Sequence, residues 1–133
     1  MPNKESVKGL IIRSPWVEMM LDGNKTWEMR GTYTHIRGKI ALIRNGSGLV
    51  VGTCNLVDVK GPLTRKEFQK NRRKAGLSQS EARWLPYDTT YAWVVKSAKK
   101  FRRPRHYKHP PVQSSGLSSE TCSESTESVA ATP

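Results

Sequence analysis

Two apolar runs joined by four turn-forming residues constrain this chain more than anything else in it: Lys39-Ile40-Ala41-Leu42-Ile43-Arg44, then Asn45-Gly46-Ser47-Gly48, then Leu49-Val50-Val51-Gly52-Thr53-Cys54. Runs this short, bounded by Asn and Gly, predict a β-hairpin. Its second strand is expected to continue through Asn55-Leu56-Val57-Asp58-Val59, with Gly52 as a bend or bulge of the kind barrels use. Leu10-Ile11-Ile12 predicts a buried first strand, and Tyr91-Ala92-Trp93-Val94-Val95, aromatic and β-branched, a late one. Between them the period changes. Ser14-Pro15 reads as an N-cap and first turn, and Trp16, Met19 and Met20 recur at helical spacing before Gly23, which predicts a helix of about two turns.

The segment from Lys25 to Arg30 alternates, which places Thr26, Glu28 and Arg30 on one strand face and Trp27 and Met29 on the other. Two capping boxes come next, Thr64 with Glu67 and Ser78 with Glu81, and predict two short helices, the second closed by Pro86. After the late strand comes a basic run of Lys96, Lys99, Lys100, Arg102, Arg103, Arg105 and Lys108, interrupted by Phe101, Pro104 and Tyr107. A solvated loop and a phosphate-tracking surface are equally good readings of it.

The chain carries a net charge of +12, yet from Val112 onward it has no Lys or Arg and is mostly Ser, Thr, Glu and small residues. That composition cannot bury enough apolar area to offset ordering, so one domain is expected over residues 1–112 and a disordered Ser/Thr/Glu-rich tail over 113–133. The domain then holds 23 basic against 8 acidic residues, about +15. An excess of that size suits a polyanion, and phosphate backbones are the commonest one. Cys54 and Cys122 make no disulfide framework, and no apolar stretch has the length of a membrane span or signal core, so a cytoplasmic protein is expected.

Lys25, Glu28 and Arg30 are the candidate site. Arg supplies a planar fork for phosphate or a base edge, Lys a point charge, and Glu an acceptor for an exocyclic amine. The competing reading is a solvated ion pair on a surface strand, worth under about 1 kcal/mol. Trp27 and Trp93 alternate as core residues do, whereas Trp16, beside Ser14 at a helix start, can border a cleft. His35, His106 and His109 have no ligand spacing, so no metal and no cofactor is expected.

The pattern Gly23-x-Lys25-x-x-Glu28-x-Arg30 resembles the G-x-K-x-x-E-x-R signature of ASCH domains at every fixed position. Arg13-Ser14-Pro15-Trp16, Gly38 to Ile43 and Tyr91-Ala92-Trp93 look like the matching segments of small bacterial ASCH proteins, and the likeness runs from residue 8 to about 111. It implies an α+β, mainly β fold: a PUA-like β-barrel with peripheral helices and a cleft that receives the signature residues. It also implies RNA-related work, since relatives include a transcription coactivator domain, a ribonuclease, and amidohydrolases that deacetylate N4-acetylcytidine. Two departures stand out. The amidohydrolases have Thr at the position of Glu28 and a catalytic carboxylate in the helical insertion, where this chain has Asn71-Arg72-Arg73. Relatives also continue a His-Pro stretch with a closing strand, whereas His109-Pro110-Pro111 here runs into the tail, leaving a barrel edge that a second copy of the chain could pair.

The expected function is therefore binding of RNA or a modified nucleoside. Lys25, Glu28 and Arg30 are first, Thr26, Ser14 and Trp16 are neighbouring ligand contacts, and Lys99, Lys100, Arg102, Arg103 and Arg105 are the nucleic-acid-binding run. The alternative is a small hydrolase acting on RNA or a modified nucleoside, with Lys25, Glu28 and Arg30 catalytic; Glu28 weakens it, because a carboxylate beside a lysine favours the ammonium. A protein-interaction adaptor is the third reading. Lys25 and Arg30 are expected at a strand edge, outside the core.

Overall fold

The computed structural model describes residues 6–107 and 126–130. Its strands are β1 (Ser6–Ile12), β2 (Trp27–Arg30), β3 (Gly38–Arg44), β4 (Leu49–Lys60), β5 (Tyr91–His106) and β6 (Thr126–Ala130); its helices are α1 (Trp16–Leu21) and α2 (Arg65–Lys70). The strands form one curled half-barrel sheet in the order β2-β5-β4-β3-β1-β6. All neighbours are antiparallel except β1 and β3. The barrel-type α+β fold inferred from the sequence is present.

Burial explains the apolar runs. Ile40 and Leu42 of β3 pack with Leu10, Leu56 and Trp93 in the main core, while Ala41 and Ile43 pack with Val50 on the opposite face. A strand covered on both faces has no reason to alternate, hence the continuous run. The hairpin forms as predicted, and the β4 register shifts at Gly52 against both partners' ladders. A Cβ there would collide with Leu21 Cδ2 and with the Lys99 carbonyl oxygen, so the bend requires glycine.

Three expectations change. Ser14 does not cap α1: Pro15 occupies the cap position and the Ser14 hydroxyl donates instead to Glu18 Oε2 at 2.9 Å, a charged acceptor and so the stronger partner. The Thr64–Glu67 box caps α2 with both reciprocal bonds. The Ser78–Glu81 box also closes, but residues 79–84 form only turns, with a single i to i+4 bond from Ala82 N to Ser78 O. Helix nucleation is costly and too few residues precede Pro86 to offset it. Finally, the basic run from Lys96 to Arg105 is no loop: β5 carries it along β4, pairing Thr53 with Lys99 and Val50 with Arg105, while Lys108 lies outside the described residues.

β6 pairs antiparallel with β1, Leu10 opposite Thr126 and Ser6 opposite Ala130, within the stretch where the composition suggests no element. A sheet edge asks mainly for backbone donors and acceptors, which a period-based reading of side chains does not register. The domain boundary expected at 112 and residues 108–125 lie outside the described residues.

A second, smaller core joins the segment between β4 and β5 to the sheet: Phe68, Ala75 and Ala82 pack over Trp27, Met29 and Ala92. The amides of Thr26 and Trp27 both donate to Lys74 O, at 2.8 and 2.9 Å, which seats the turn after α2 against the start of β2.

Candidate functional site

The docking of that turn builds the site. Lys25 precedes β2 and escapes its alternation, so it joins Glu28 and Arg30 instead of accompanying Trp27 and Met29 into the smaller core. Its Nζ donates to Trp27 O and Ala75 O, each at 2.7 Å, and stands 3.4 Å from Glu28 Oε1. Arg30 reaches Glu28 Oε2 from Nε at 3.2 Å and from Nη2 at 3.1 Å, and Nη2 also donates to Ile11 O at 3.1 Å. The Arg30 guanidinium lies 5.7 Å from the centre of the Trp93 ring. Glu28 thus stands between two cations; the shared face of β2 predicts its pairing with Arg30, whereas the approach of Lys25 comes from the docked turn.

Burial overturns the expected position of these cations outside the core: Lys25 is 4% and Arg30 2% exposed. The reason is tertiary, since the turn at 71–76 covers Lys25 and the end of β1 covers Arg30. Burial pushes the Lys25 ammonium below the ordinary lysine range; Glu28 opposes this, and Arg30 adds to it. Gly76, at φ +73, closes the turn, and a Cβ on it would approach Met19 Cε to 3.0 Å and Lys25 Cδ to 3.3 Å. Its carbonyl accepts from Trp16 Nε1 at 3.3 Å.

Above this group lies a cleft of about 530 Å³. Lys25, Glu28, Arg30 and Trp16 line it, together with Arg13, Asn45, Met29 and Tyr87, and Glu28 is the only carboxylate among the described lining residues. Ser14 and Thr26 are not among those lining it: Ser14 is turned to Glu18, and the backbone of Thr26 bridges Lys74 O and Val95 N. Asn45, read from the sequence only as a turn residue, and Tyr87, whose only signal is the neighbouring Pro86, are not expected at the site from the sequence.

Lys99, Lys100, Arg102, Arg103 and Arg105 do not line the cleft. They occupy the far half of β5, where β2 no longer pairs, since that ladder ends at Val94. Lys99, Lys100, Arg102 and Arg103 are exposed; Arg105 is half-buried, its guanidinium 4.6 Å over Phe101. Beyond Val94 this edge of β5 has no partner strand among the described residues; Lys, Arg and a proline keep such an edge from pairing with another chain, so edge protection is a structural reason for this run.

A family model for the ASCH domain matches residues 10–105. The chain belongs to the ASCH domain family. Among solved structures, the ASCH protein of Zymomonas mobilis superposes with a TM-score of 0.63 at 16% identity, covering 74% of this chain and 72% of the other. Two point mutants of that protein give TM-scores of 0.63 and 0.60 at 18% and 19% identity, covering 80% and 78% of this chain and 77% and 76% of theirs. These likenesses establish the fold. No curated protein sequence matches. Within this fold, Lys25, Glu28 and Arg30 line the cleft, whereas Gly23 does not. No helix among the described residues is long and apolar enough to cross a membrane.

Cys54, buried in the main core, has its thiol pushed up to about 12, first by burial and then by the negative charge of Glu28. Folded protein treated with iodoacetamide near pH 8 is therefore expected to leave Cys54 unmodified, while urea-unfolded protein labels fully. Peptide mass mapping distinguishes this site from Cys122; comparable labelling in both states would show that the thiol is accessible.

Proposed function

We propose that this ASCH domain binds RNA or a modified nucleoside in the cleft, with Glu28 and Arg30 meeting the base or its phosphate and Trp16 bordering it. The reading rests on one observation: two buried cations share a single carboxylate at the floor of an open cleft of about 530 Å³. Ligand clefts generally run from roughly 300 to 1,000 Å³. A floor with one net positive charge suits a polar, electron-rich ligand, and the exposed basic residues of β5 add sequence-independent attraction for phosphate.

The hydrolase reading has an observation of its own, the lowered Lys25 ammonium, because a lysine base or nucleophile needs that direction. Its geometry argues against that role. An ammonium has three N–H donors and no lone pair, and Lys25 directs them at two carbonyls and Glu28. Lys25 is better described as a positioning residue that holds Glu28 and the insertion in place.

The test is equilibrium binding of nucleosides and of single-stranded RNA to wild type and Glu28→Gln, with folding checked by circular dichroism. A base-reading Glu28 is expected to change preference among nucleosides by about 1 to 3 kcal/mol on substitution. Unchanged preference would remove Glu28 as a base reader. Turnover of N4-acetylcytidine or RNA that is present in wild type and vanishes in Lys25→Met would favour the hydrolase reading instead.

A further inference from the structure

The helical insertion carries an aromatic surface that neither core nor cleft explains. Trp84 is 64% exposed. The Arg65 guanidinium lies 4.2 Å over its ring, backing the indole, and enough exposure remains for a planar group to stack on it. The turn presenting Trp84 is held from α2: Arg65 Nε and Gln69 Nε2 both donate to Arg83 O, at 3.0 and 2.9 Å. Beside it runs a groove of about 710 Å³ lined by Gln69, Arg72, Ser78, Gln79, Ser80 and Arg83, two guanidinium groups and two hydroxyls with no carboxylate.

Charge points the same way. Residues 65–84 hold seven Lys and Arg against two acids, Glu67 and Glu81. Both acids are committed to capping, accepting from the Thr64 and Ser78 amides at 2.8 Å each. The groove also adjoins the cleft: Leu77 lines the cleft and Ser78 the groove, and Arg72 Nη1 donates to Leu77 O at 3.3 Å across that boundary. The basic half of β5 has edge protection as a structural reason; an exposed indole on an ordered turn has none.

We propose that Trp84 and the Arg72–Arg83 groove form a second subsite, which takes a single-stranded nucleic acid by stacking one base on the indole and holding an adjacent phosphate. Stacking on an aromatic face tolerates any base, and guanidinium forks match phosphate oxygens. The subsite stands independently of the cleft, although its position lets one strand occupy both.

The experiment measures binding of three probes, a single-stranded adenine oligonucleotide of about 12 residues as RNA and as DNA, heparin as a polyanion without bases, and adenosine. Trp84→Ala is expected to weaken the oligonucleotide roughly 5- to 100-fold and to leave heparin unchanged, with Trp84→Phe recovering much of the loss. Arg83→Ala is expected to flatten the slope of log affinity against log salt by about 0.7. Equal losses for heparin and oligonucleotide, an unchanged oligonucleotide affinity, or no oligonucleotide binding by wild type would each overturn the proposal. Adenosine separates the two sites. If the Trp84 effect persists while adenosine and the other nucleosides fail to bind, the cleft reading fails and the subsite stands; nucleoside binding without a Trp84 effect gives the reverse.

Discussion

Glu28→Ala is expected to destabilise the protein by about 3 to 5 kcal/mol, because it leaves buried cations without their counter-charge. Lys25 and Arg30 are 4% and 2% exposed and approach the carboxylate to 3.4 and 3.1 Å. Two cations facing each other in a desolvated site repel, and neither can turn to water without leaving the packing that holds it. For a domain of this size each kcal/mol shifts the melting temperature by roughly 4 to 8 °C, so a drop of more than about 12 °C is expected. Pairing Glu28→Gln with Lys25→Met should cost less than the two single changes added together, since Lys25→Met removes one of the two cations that Glu28→Gln leaves without a counter-charge. A fall of under about 3 °C for Glu28→Ala would mean that water reaches the group and screens it.

Lys25→Ala is expected to cost about 2 to 4 kcal/mol, through the loss of two charged hydrogen bonds and of a buried aliphatic stem. Those bonds tie β2 to the insertion at Trp27 O and Ala75 O, so the loss should appear first as faster amide exchange in residues 71–76. Lys25→Met keeps the stem and removes the desolvated charge, and is expected to cost less than Lys25→Ala. The pH dependence comes from the lowered folded-state value. Below that value the folded and unfolded chains both hold the proton and the burial penalty is fully present. As pH rises towards the ordinary lysine range, the folded chain releases its proton before the unfolded chain does, so stability gains. Chemical denaturation of wild type relative to Lys25→Met should therefore shift in favour of wild type at alkaline pH. A constant difference across that range would remove the buried ammonium from the explanation, and an unchanged melting temperature for Lys25→Ala would return Lys25 to the solvent-facing strand edge suggested by the local pattern.

The local pattern determined much of this protein. Short apolar runs and their Gly and Asn boundaries placed β1, β3, β4 and the start of β5, and Gly52 marked the bend, because strand period and turn chemistry are properties of a few adjacent residues. The same holds for the capping box of α2 and for the shared face of Glu28 and Arg30. The signature spacing singled out the three residues that now form the cleft floor. Tertiary structure decided the rest. Whether Lys25 is solvated or buried depends on Ala75 O, fifty positions away, and whether Arg30 is covered depends on the end of β1. The 78–81 box could not show that its turn would stop short of a helix, since propagation depends on the residues C-terminal to it. The extension of β5 through a run of charges, and the pairing of Thr126–Ala130 with β1, depend on a neighbouring backbone with free donors and acceptors. Side-chain pattern reports which residues avoid water; only the assembled sheet sets which backbones and which charges lie within reach of one another.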